Sequence, residues 1–231
     1  ITFPSEEMTY TMQHTLAIAG EMMRYSYEGD RPHHEQDQLV HREYLSVYDG
    51  EVSKTFRAPA FTRPFAQGAI LNEARNADVS SAEVEPLLTI YRVFRDRRTS
   101  QQGNVLPRAE LGDETVTVNG RECRLLSLGT RQYWVDIERN WLIVRYVVMF
   151  GRGGMQRQVD IGYQHDPDHG WVPSEWSMLR FDRSGATRWS FDAKVTAYEL
   201  NTEIPKSEFQ FEFPVGDLVQ ELRSRPQDEV Q

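Results

Sequence analysis

The second half of the chain alternates apolar and polar residues in short segments separated by turn residues. Between Thr115 and Phe213, turn residues lie at Asn119-Gly120, Asp136 to Asn140, Gly151 to Gly154, Asp166 to Gly170 and Asp182 to Gly185. A period of two places successive side chains on opposite faces of a strand, and Gly, Asn, Asp and Pro end strands in tight turns. The pattern therefore predicts an antiparallel β-meander.

Three segments of this meander indicate its faces. Between Thr187 and Tyr198 the odd positions are apolar and the even positions are mostly polar, so one face is covered and the other is solvated. Leu142 to Phe150 is apolar almost throughout, which predicts a central strand covered on both sides. Phe209, Phe211 and Phe213 alternate before Pro214 and predict a last strand.

The first half of the chain predicts hairpins and one short helix. Residues 8 to 29 nearly alternate around Gly20, which favours two strands around a turn over the alternative of one helix. Asp30 to Gln38 is charged and contains a proline, so it predicts a loop. Asp49-Gly50 between alternating segments is a strong hairpin signal, and Phe65 to Ala77 predicts a short helix.

The clearest helix signal begins at residue 80. Ser80-Ser81-Ala82-Glu83 has the composition of an N-terminal cap, and apolar residues then recur at steps of three and four. The apolar stripe consists of Val84, Leu87, Leu88, Tyr91 and Phe94. We interpret the arginines between residues 92 and 98 as a solvated helix end, where cations complement the helix dipole.

Composition limits the class of partner. The 231 residues fit one domain, and 39% hydrophobic with 26% charged residues excludes disorder over most of the length. The net charge of -9 opposes attraction to phosphate, so we predict no nucleic-acid partner. No apolar run approaches the ~20 residues of a spanning helix, so membrane contact is expected to be peripheral at most.

Two further features concern the cellular compartment. The single Cys123 cannot form an internal disulfide and leaves the redox compartment open. The chain opens with Ile1 rather than Met, so we expect an upstream segment, of which a secretory signal is one kind.

The chain offers little chemistry for catalysis. His165 and His169 have helical ligand spacing, but the residues between them predict a tight turn. Cys123 lies in an apparent strand, Gly151 to Gly154 lacks the ending of a phosphate loop, and Glu175 has no acid/base partner. We therefore predict no catalytic residue, no metal site and no cofactor, and a protein that is not an enzyme.

A series of sequence phrases carries a family resemblance. In order, they are Tyr48-Asp49-Gly50, Val118 to Leu125, Tyr133 to Asp136, Leu142 to Arg145, Gly170 to Trp176, Asn201 to Phe209 and Phe213 to Gly216. Over residues 8 to 219 the chain resembles the LolA/LolB-like superfamily of outer-membrane lipoprotein-sorting proteins, whose relatives include periplasmic regulators of sigma-factor signalling.

This resemblance implies an α+β fold, mainly antiparallel β, in which helices cover the concave face of a curved, incomplete barrel. We expect a single domain over residues 1–222 and a flexible tail over 223–231. The resemblance also implies an apolar cavity that holds the acyl chains of a lipoprotein. Such chains gain about 0.8 kcal/mol per buried methylene, so a carrier needs an apolar lining and a polar exterior.

Two classes of function follow from the resemblance. The first is a periplasmic or otherwise exported carrier or sensor of a lipid, lipoprotein acyl chains or another apolar ligand. Its predicted ligand contacts are Tyr91, Phe94, Tyr146, Phe150, Trp176, Trp189 and Phe191. The second is a cell-envelope interaction or regulatory module with a filled core, no ligand and a protein partner.

Overall fold

The chain is mostly antiparallel β-structure. The computed structural model describes residues 10–33, 36–59, 65–71, 83–91, 109–150 and 154–222. The strands are β1 (Met12–Ala19), β2 (Met22–His33), β3 (Gln36–Tyr48), β4 (Ser53–Arg57), β5 (Gln67–Leu71), β6 (Glu110–Val118), β7 (Arg121–Leu128), β8 (Arg131–Asp136), β9 (Leu142–Met149), β10 (Met155–Asp166), β11 (Gly170–Phe181), β12 (Thr187–Lys194) and β13 (Leu218–Leu222). One α-helix, α1 (Glu85–Tyr91), and one 3-10 turn (Lys206–Phe209) complete the elements of the described residues.

The chain divides into two compact units. The first, which we call the six-stranded unit, comprises Ile1–Ser81, Arg97–Gln101 and Glu203–Gln231. The second, the seven-stranded unit, comprises Ala82–Asp96 and Gln102–Thr202. The expected single domain over residues 1–222 stays a prediction, and the expected tail over 223–231 lies outside the described residues.

The six-stranded sheet has the order β1-β2-β3-β4-β5-β13. The first five strands pair antiparallel with their sequence neighbours, whereas β13 pairs parallel to β5. The β1–β2 turn contains Gly20 with φ +57°, and the β3–β4 turn contains Gly50 with φ +105°. Glycine adopts these left-handed angles at little cost, and both predicted hairpins are confirmed.

An extended segment crosses one face of this sheet after the 3-10 turn. Phe209 is fully buried. The Arg24 guanidinium donates to the carbonyl of Glu208 at 3.1 Å, and Lys54 Nζ donates to the carbonyl of Phe211 at 2.8 Å. These long side chains satisfy backbone carbonyls that lie outside any strand ladder, so the segment is fixed to the sheet.

The seven-stranded sheet has the order β12-β11-β10-β9-β8-β7-β6, which is the predicted meander. β9 lies at its centre, and Ile143, Val144, Tyr146 and Val147 are all buried, as the apolar run predicted. Along β12 burial alternates, with the odd positions from Trp189 partly buried and the even positions exposed. Both predicted face assignments are therefore confirmed.

Helix α1 forms where the apolar stripe predicted it, but it is short, with seven residues. Val84 and Leu88 are buried, and Leu87 and Ile90 pack against the core of the seven-stranded sheet. The predicted Ser80-Ser81 cap lies outside the described residues, as does Phe94.

Three sequence predictions are wrong. Asp30 to Gln38 is not a loop, because β2 continues to His33 and β3 starts at Gln36. The segment Phe65 to Ala77 is not helical where it is described, because β5 is a strand paired on both sides. Phe209, Phe211 and Phe213 form no strand, since the last strand is β13. In each case pairing with another strand or packing on the sheet face overrides local preference.

The fold class is therefore confirmed in its coarser form, a mostly antiparallel β protein with two sheets. Helices in the plural over a concave face are not supported by the described residues, which contain α1 alone. The reason is local, since the second segment with a helical composition, Phe65 to Ala77, starts in a strand instead.

Candidate functional site

Among the described residues, an extended apolar surface lies on one face of the seven-stranded sheet. Its buried members are Tyr133, Val135, Ile143, Tyr146, Val159, Ile161, Tyr163, Trp176 and Met178. Partly buried residues extend it and include Leu87, Ile90, Leu126, Leu128, Leu142, Val148, Trp171, Trp189, Phe191, Ala193 and Val195. We call this set the apolar face. Alternating strand positions place its members on the same side of the sheet.

Two polar contacts hold the start of α1 on this sheet. Glu85, only 4% exposed, forms an ion pair with Arg157 on β10, in which Arg157 Nη2 donates to Glu85 Oε1 at 2.9 Å. The Trp176 indole Nε1 donates to the carbonyl of Glu83 at 2.9 Å. The indole therefore contributes its ring to the apolar face and its N–H to the helix start.

Helix α1 covers only part of the apolar face. Seven helical residues extend about 10 Å, whereas seven strands span roughly 29 Å at their usual spacing. On the edge strand β12, Trp189 and Phe191 stay partly exposed, with their ring centroids 5.1 Å apart. An apolar surface thus remains accessible along β12.

The predicted ligand contacts fall into three groups. Tyr146 and Trp176 are buried inside the apolar face, at 2% and 7% exposure. Trp189 and Phe191 pack against it and are partly exposed. Tyr91 ends α1 and is 46% exposed, Phe150 is partly buried just after β9, and Phe94 lies outside the described residues.

The structure brings four of the seven predicted contacts together in one surface, namely Tyr146, Trp176, Trp189 and Phe191. Sequence reasoning missed Ile90 and Trp171, which also contact this surface. Ile90 lies beside Tyr91 in the sequence, so a one-residue shift of the helical phase would have found it. Trp171 opens β11 within the phrase Gly170 to Trp176 but had no alternating neighbours to reveal its direction.

One buried member of the apolar face, Tyr163, carries a phenol hydroxyl. Tyr163 on β10 is 9% exposed, and its hydroxyl donates to the carbonyl of Ile143 at 2.9 Å. Burial raises the pKa of Tyr163 far above its ordinary value. The phenol therefore stays protonated and keeps its donor on the β9 backbone.

A charged cluster that the sequence did not predict lies at the end of the sheet where β7 starts and β8 ends. Asp136, 1% exposed, accepts a hydrogen bond from Arg139 Nη1 at 2.9 Å and lies 3.8 Å from Arg121 Nη1. Both guanidinium groups lie over the Trp171 ring, at 4.9 Å for Arg139 and 5.9 Å for Arg121. The side chain of Arg121 is only 22% exposed.

The β10–β11 turn is organised by the carboxylate of Asp166. Asp166 Oδ1 accepts from the backbone N–H groups of Asp168 and His169, at 2.9 Å each. Asp166 Oδ2 accepts from the Tyr198 hydroxyl at 2.6 Å. The tight turn is confirmed, and the described residues contain no group of three His, Cys, Asp or Glu side chains that could hold a metal.

Cys123 is fully buried in β7. Burial raises the pKa of its thiol, and the neighbouring Asp136 acts in the same direction. A buried, protonated thiol is a poor nucleophile, so this site lacks the activation that a catalytic cysteine needs.

The six-stranded unit carries a different kind of concavity. A cleft of about 270 Å³ lies beside the segment that crosses its sheet. Its lining consists of Val47, Asp49, Val52, Lys54, Phe209, Gln210, Phe211 and Glu212. None of the predicted ligand contacts belongs to this lining, and its charged and amide side chains make it unlike the apolar face.

Fold and surface together define a class, a two-sheet, mainly antiparallel β protein with an apolar face only partly covered by a helix. No protein-family model matches the chain, and no curated protein sequence matches it. Among the described residues, no helix has the length and apolar character that crossing a bilayer requires.

Two solved structures are similar to this chain. One is a proposed outer membrane lipoprotein-sorting protein domain from Vibrio parahaemolyticus, with 11% identity and a TM-score of 0.42 over 87% of each chain. The other is a DUF1329 family protein from Desulfovibrio piger ATCC 29098, with 10% identity and a TM-score of 0.38 over 87% of this chain and 90% of that one. The structures to which the chain is similar thus include one described as a lipoprotein-sorting domain.

Proposed function

We propose that this protein is a non-catalytic carrier or sensor that binds an apolar ligand on the apolar face of the seven-stranded unit. The observation that supports this proposal is that Trp189 and Phe191 continue a buried apolar cluster and yet remain partly exposed on β12. Apolar side chains left accessible beside a core gain free energy when a ligand covers them.

Lipid or lipoprotein acyl chains fit this surface by their chemistry. Each methylene removed from water contributes about 0.8 kcal/mol, and the face offers aromatic and aliphatic contacts. In this proposal the sheet curves around the chain as an incomplete barrel, and α1 covers part of the mouth. The remaining predicted contacts, Tyr91, Phe94 and Phe150, would extend the same ligand surface.

We further propose that the protein works in the bacterial cell envelope, in the periplasm or otherwise exported, with at most peripheral membrane contact. This proposal rests on the resemblance of the sequence phrases and on the chemistry of an acyl-chain ligand. Neither nucleic acid nor a cofactor has a part in it.

The test begins with lipid extraction of the purified full chain followed by mass spectrometry. Delipidated protein is then titrated with a fluorescent fatty-acid probe. We expect co-purified lipid and saturable probe binding, whereas a chain that carries no lipid and binds no probe would contradict the carrier proposal.

Replacing Trp189 with Ser sharpens this test. The partly exposed ring has fewer partner atoms on its open side, so its loss should weaken probe binding several-fold and lower the unfolding midpoint little. Ser190→Ala, on the exposed opposite face of the same strand, is the matched control and should change neither. Equal losses of binding and stability would identify Trp189 as ordinary core.

A second function is supported by a specific observation. Tyr146, Val159, Trp176 and Met178 are at most 7% exposed and fill the centre of the face with side chains. A filled centre is what an envelope interaction or regulatory module needs, with a protein as its partner. An interior without lipid, together with stability that does not depend on Trp189, would favour this alternative.

A further inference from the structure

The end of the seven-stranded sheet beside Trp171 carries an imbalance of charge. Three turns meet at this end, because β7 and β11 start here and β8 ends here. Arg121 begins β7, Asp136 ends β8, and Arg139 belongs to the β8–β9 turn. The side chains in contact here are thus two guanidinium cations and one carboxylate, while the side chain of Glu138 in the same turn is exposed.

Asp136 is satisfied without Arg121. Its Oδ1 accepts from the backbone N–H groups of Glu138 and Arg139, at 3.1 Å each, and its Oδ2 accepts from Arg139 Nη1 at 2.9 Å. Arg121 Nη1 lies 3.8 Å from Oδ2, which is within ion-pair range but beyond a hydrogen bond. Arg139 and the turn backbone therefore account for the structural role of the carboxylate.

Arg121 is left with a donor that has no acceptor. Its Nη1 is buried and makes no hydrogen bond, and the side chain as a whole is 22% exposed. Acidic residues outnumber basic ones by 35 to 26, so carboxylates are abundant in this chain. A guanidinium that is mostly buried and still lacks a hydrogen-bonded acid has the character of a site for an external anion.

Trp171 joins this cluster to the apolar face. Its ring supports both guanidinium groups by cation–π contact, and the same side chain packs against the buried apolar cluster. From Trp171, the apolar face follows β11 to Trp176 and Met178, roughly 23 Å away at about 3.3 Å per residue. Cationic and apolar contacts thus lie in sequence along one strand.

We propose that the ligand of this unit is an anionic amphiphile, whose carboxylate or phosphate head group binds Arg121 and Arg139 beside Trp171 while its chain lies along the apolar face. This inference rests on the proposed carrier function and adds the chemical class of the head group. Guanidinium groups bind both kinds of oxyanion through paired N–H donors, so the two heads share one recognition chemistry.

The test compares probes that differ only in the head group. Delipidated full chain is titrated with a fluorescent fatty acid, the alcohol with the same chain and label, and the corresponding alkyl phosphate. We expect the wild type to bind both anionic probes about tenfold more tightly than the alcohol, as charge-assisted hydrogen bonds predict.

Arg121→Gln is the decisive variant, because it leaves the Asp136–Arg139 bond intact. It should remove most of the preference for the anionic probes and keep affinity for the alcohol within about twofold. Arg121→Lys retains the charge and should keep part of the preference. Arg124→Gln is the matched control, since Arg124 is 27% exposed and pairs with the fully exposed Asp113. It should change no affinity.

The outcomes separate this inference from the function on which it rests. If the wild type binds the alcohol and the anionic probes equally, the head-group inference is wrong and the carrier proposal stands. If the wild type binds no probe, the carrier proposal itself fails. Inorganic phosphate should compete only weakly, and phosphate binding as tight as that of the alkyl phosphate would identify a site for a free anion instead of an amphiphile.

Discussion

The two sheets of this protein are covered in different ways. The seven-stranded sheet is covered by side chains of α1, whose Leu87 and Ile90 pack on the apolar face. The six-stranded sheet is covered by an extended segment whose backbone carbonyls, at Glu208 and Phe211, accept hydrogen bonds from Arg24 and Lys54. The helix packs through apolar side chains, with polar contacts at its start, whereas the extended segment is held by hydrogen bonds to its backbone.

This difference agrees with the proposed ligand site on the seven-stranded unit. The extended segment presents backbone carbonyls to the six-stranded sheet, and these carbonyls need hydrogen-bond donors from the sheet. The cleft beside the segment therefore contains Lys54, together with Asp49 and Glu212. A cover made of apolar side chains has no such requirement and leaves aromatic groups at its margin. The proposed acyl-chain ligand therefore suits the seven-stranded unit better than the cleft of the six-stranded unit.

The largest effect should come from the centre of the apolar face. Met178 is 1% exposed, so Met178→Ala should reduce the free energy of unfolding by about 2–5 kcal/mol. Phe191, its cross-strand neighbour, is partly exposed, and Phe191→Ala should cost less than about 3 kcal/mol. Urea unfolding measures both. A larger loss at Phe191 than at Met178 would show that β12 belongs to the closed core.

Breaking the attachment of α1 should have the next largest effect. Glu85→Gln leaves Arg157 without its charged partner in a mostly buried position, and we expect a loss of about 1–3 kcal/mol in unfolding free energy. Asp113→Asn is the control, because Asp113 is fully exposed and its pairing with Arg124 should contribute about 0–1 kcal/mol. Equal effects would mean that the Glu85 pair does not stabilise the helix.

The packing of the crossing segment on the six-stranded sheet is tested at Gly68 on β5. A Cβ at this position would overlap the ring of Phe213, so Gly68→Ala should destabilise the six-stranded unit by about 1–3 kcal/mol. Gly112→Ala is the control, since its nearest atom would lie at an ordinary 3.4 Å, and we expect a change within about 0.5 kcal/mol. Thermal unfolding compares the two, and an unchanged Gly68 variant would show that the ring moves freely.

Local pattern predicted much of the seven-stranded sheet. The order of its strands, the central place of β9 and the two faces of β12 follow from alternation and from turn residues next to each other in the sequence. The short strand β5 was mistaken for a helix because its five residues carry little periodicity, and its partner β13 lies far along the chain. Pairing of that kind leaves no local signal.

The candidate site was predictable only in part for the same reason. Trp189 and Phe191 share a strand, so parity identified them, and Tyr146 followed from the alternation of β9. Arg121 begins β7, Trp171 lies at the start of β11 and Arg139 belongs to the β8–β9 turn, and only the folded sheet places both guanidinium groups over one indole. No spacing of residues in the sequence predicts such a cluster.

The smallest effect concerns the β10–β11 turn, through the pH dependence of stability. The Tyr198 hydroxyl and His169 donate to Asp166, and together with backbone N–H groups they hold the pKa of this carboxyl well below its usual value. A depressed folded-state pKa contributes stability that is present above the unfolded-state value and is lost as pH falls. The advantage of wild type over Asp166→Asn should therefore be constant above about pH 5 and shrink below about pH 4. Urea unfolding across this range measures the difference in stability. Tyr198→Phe is a partial control, because removing the Tyr198 hydroxyl donor should weaken the same pH dependence.

A difference between wild type and Asp166→Asn that stayed constant down to about pH 2.5 would mean that these hydrogen bonds persist in the unfolded chain or contribute nothing.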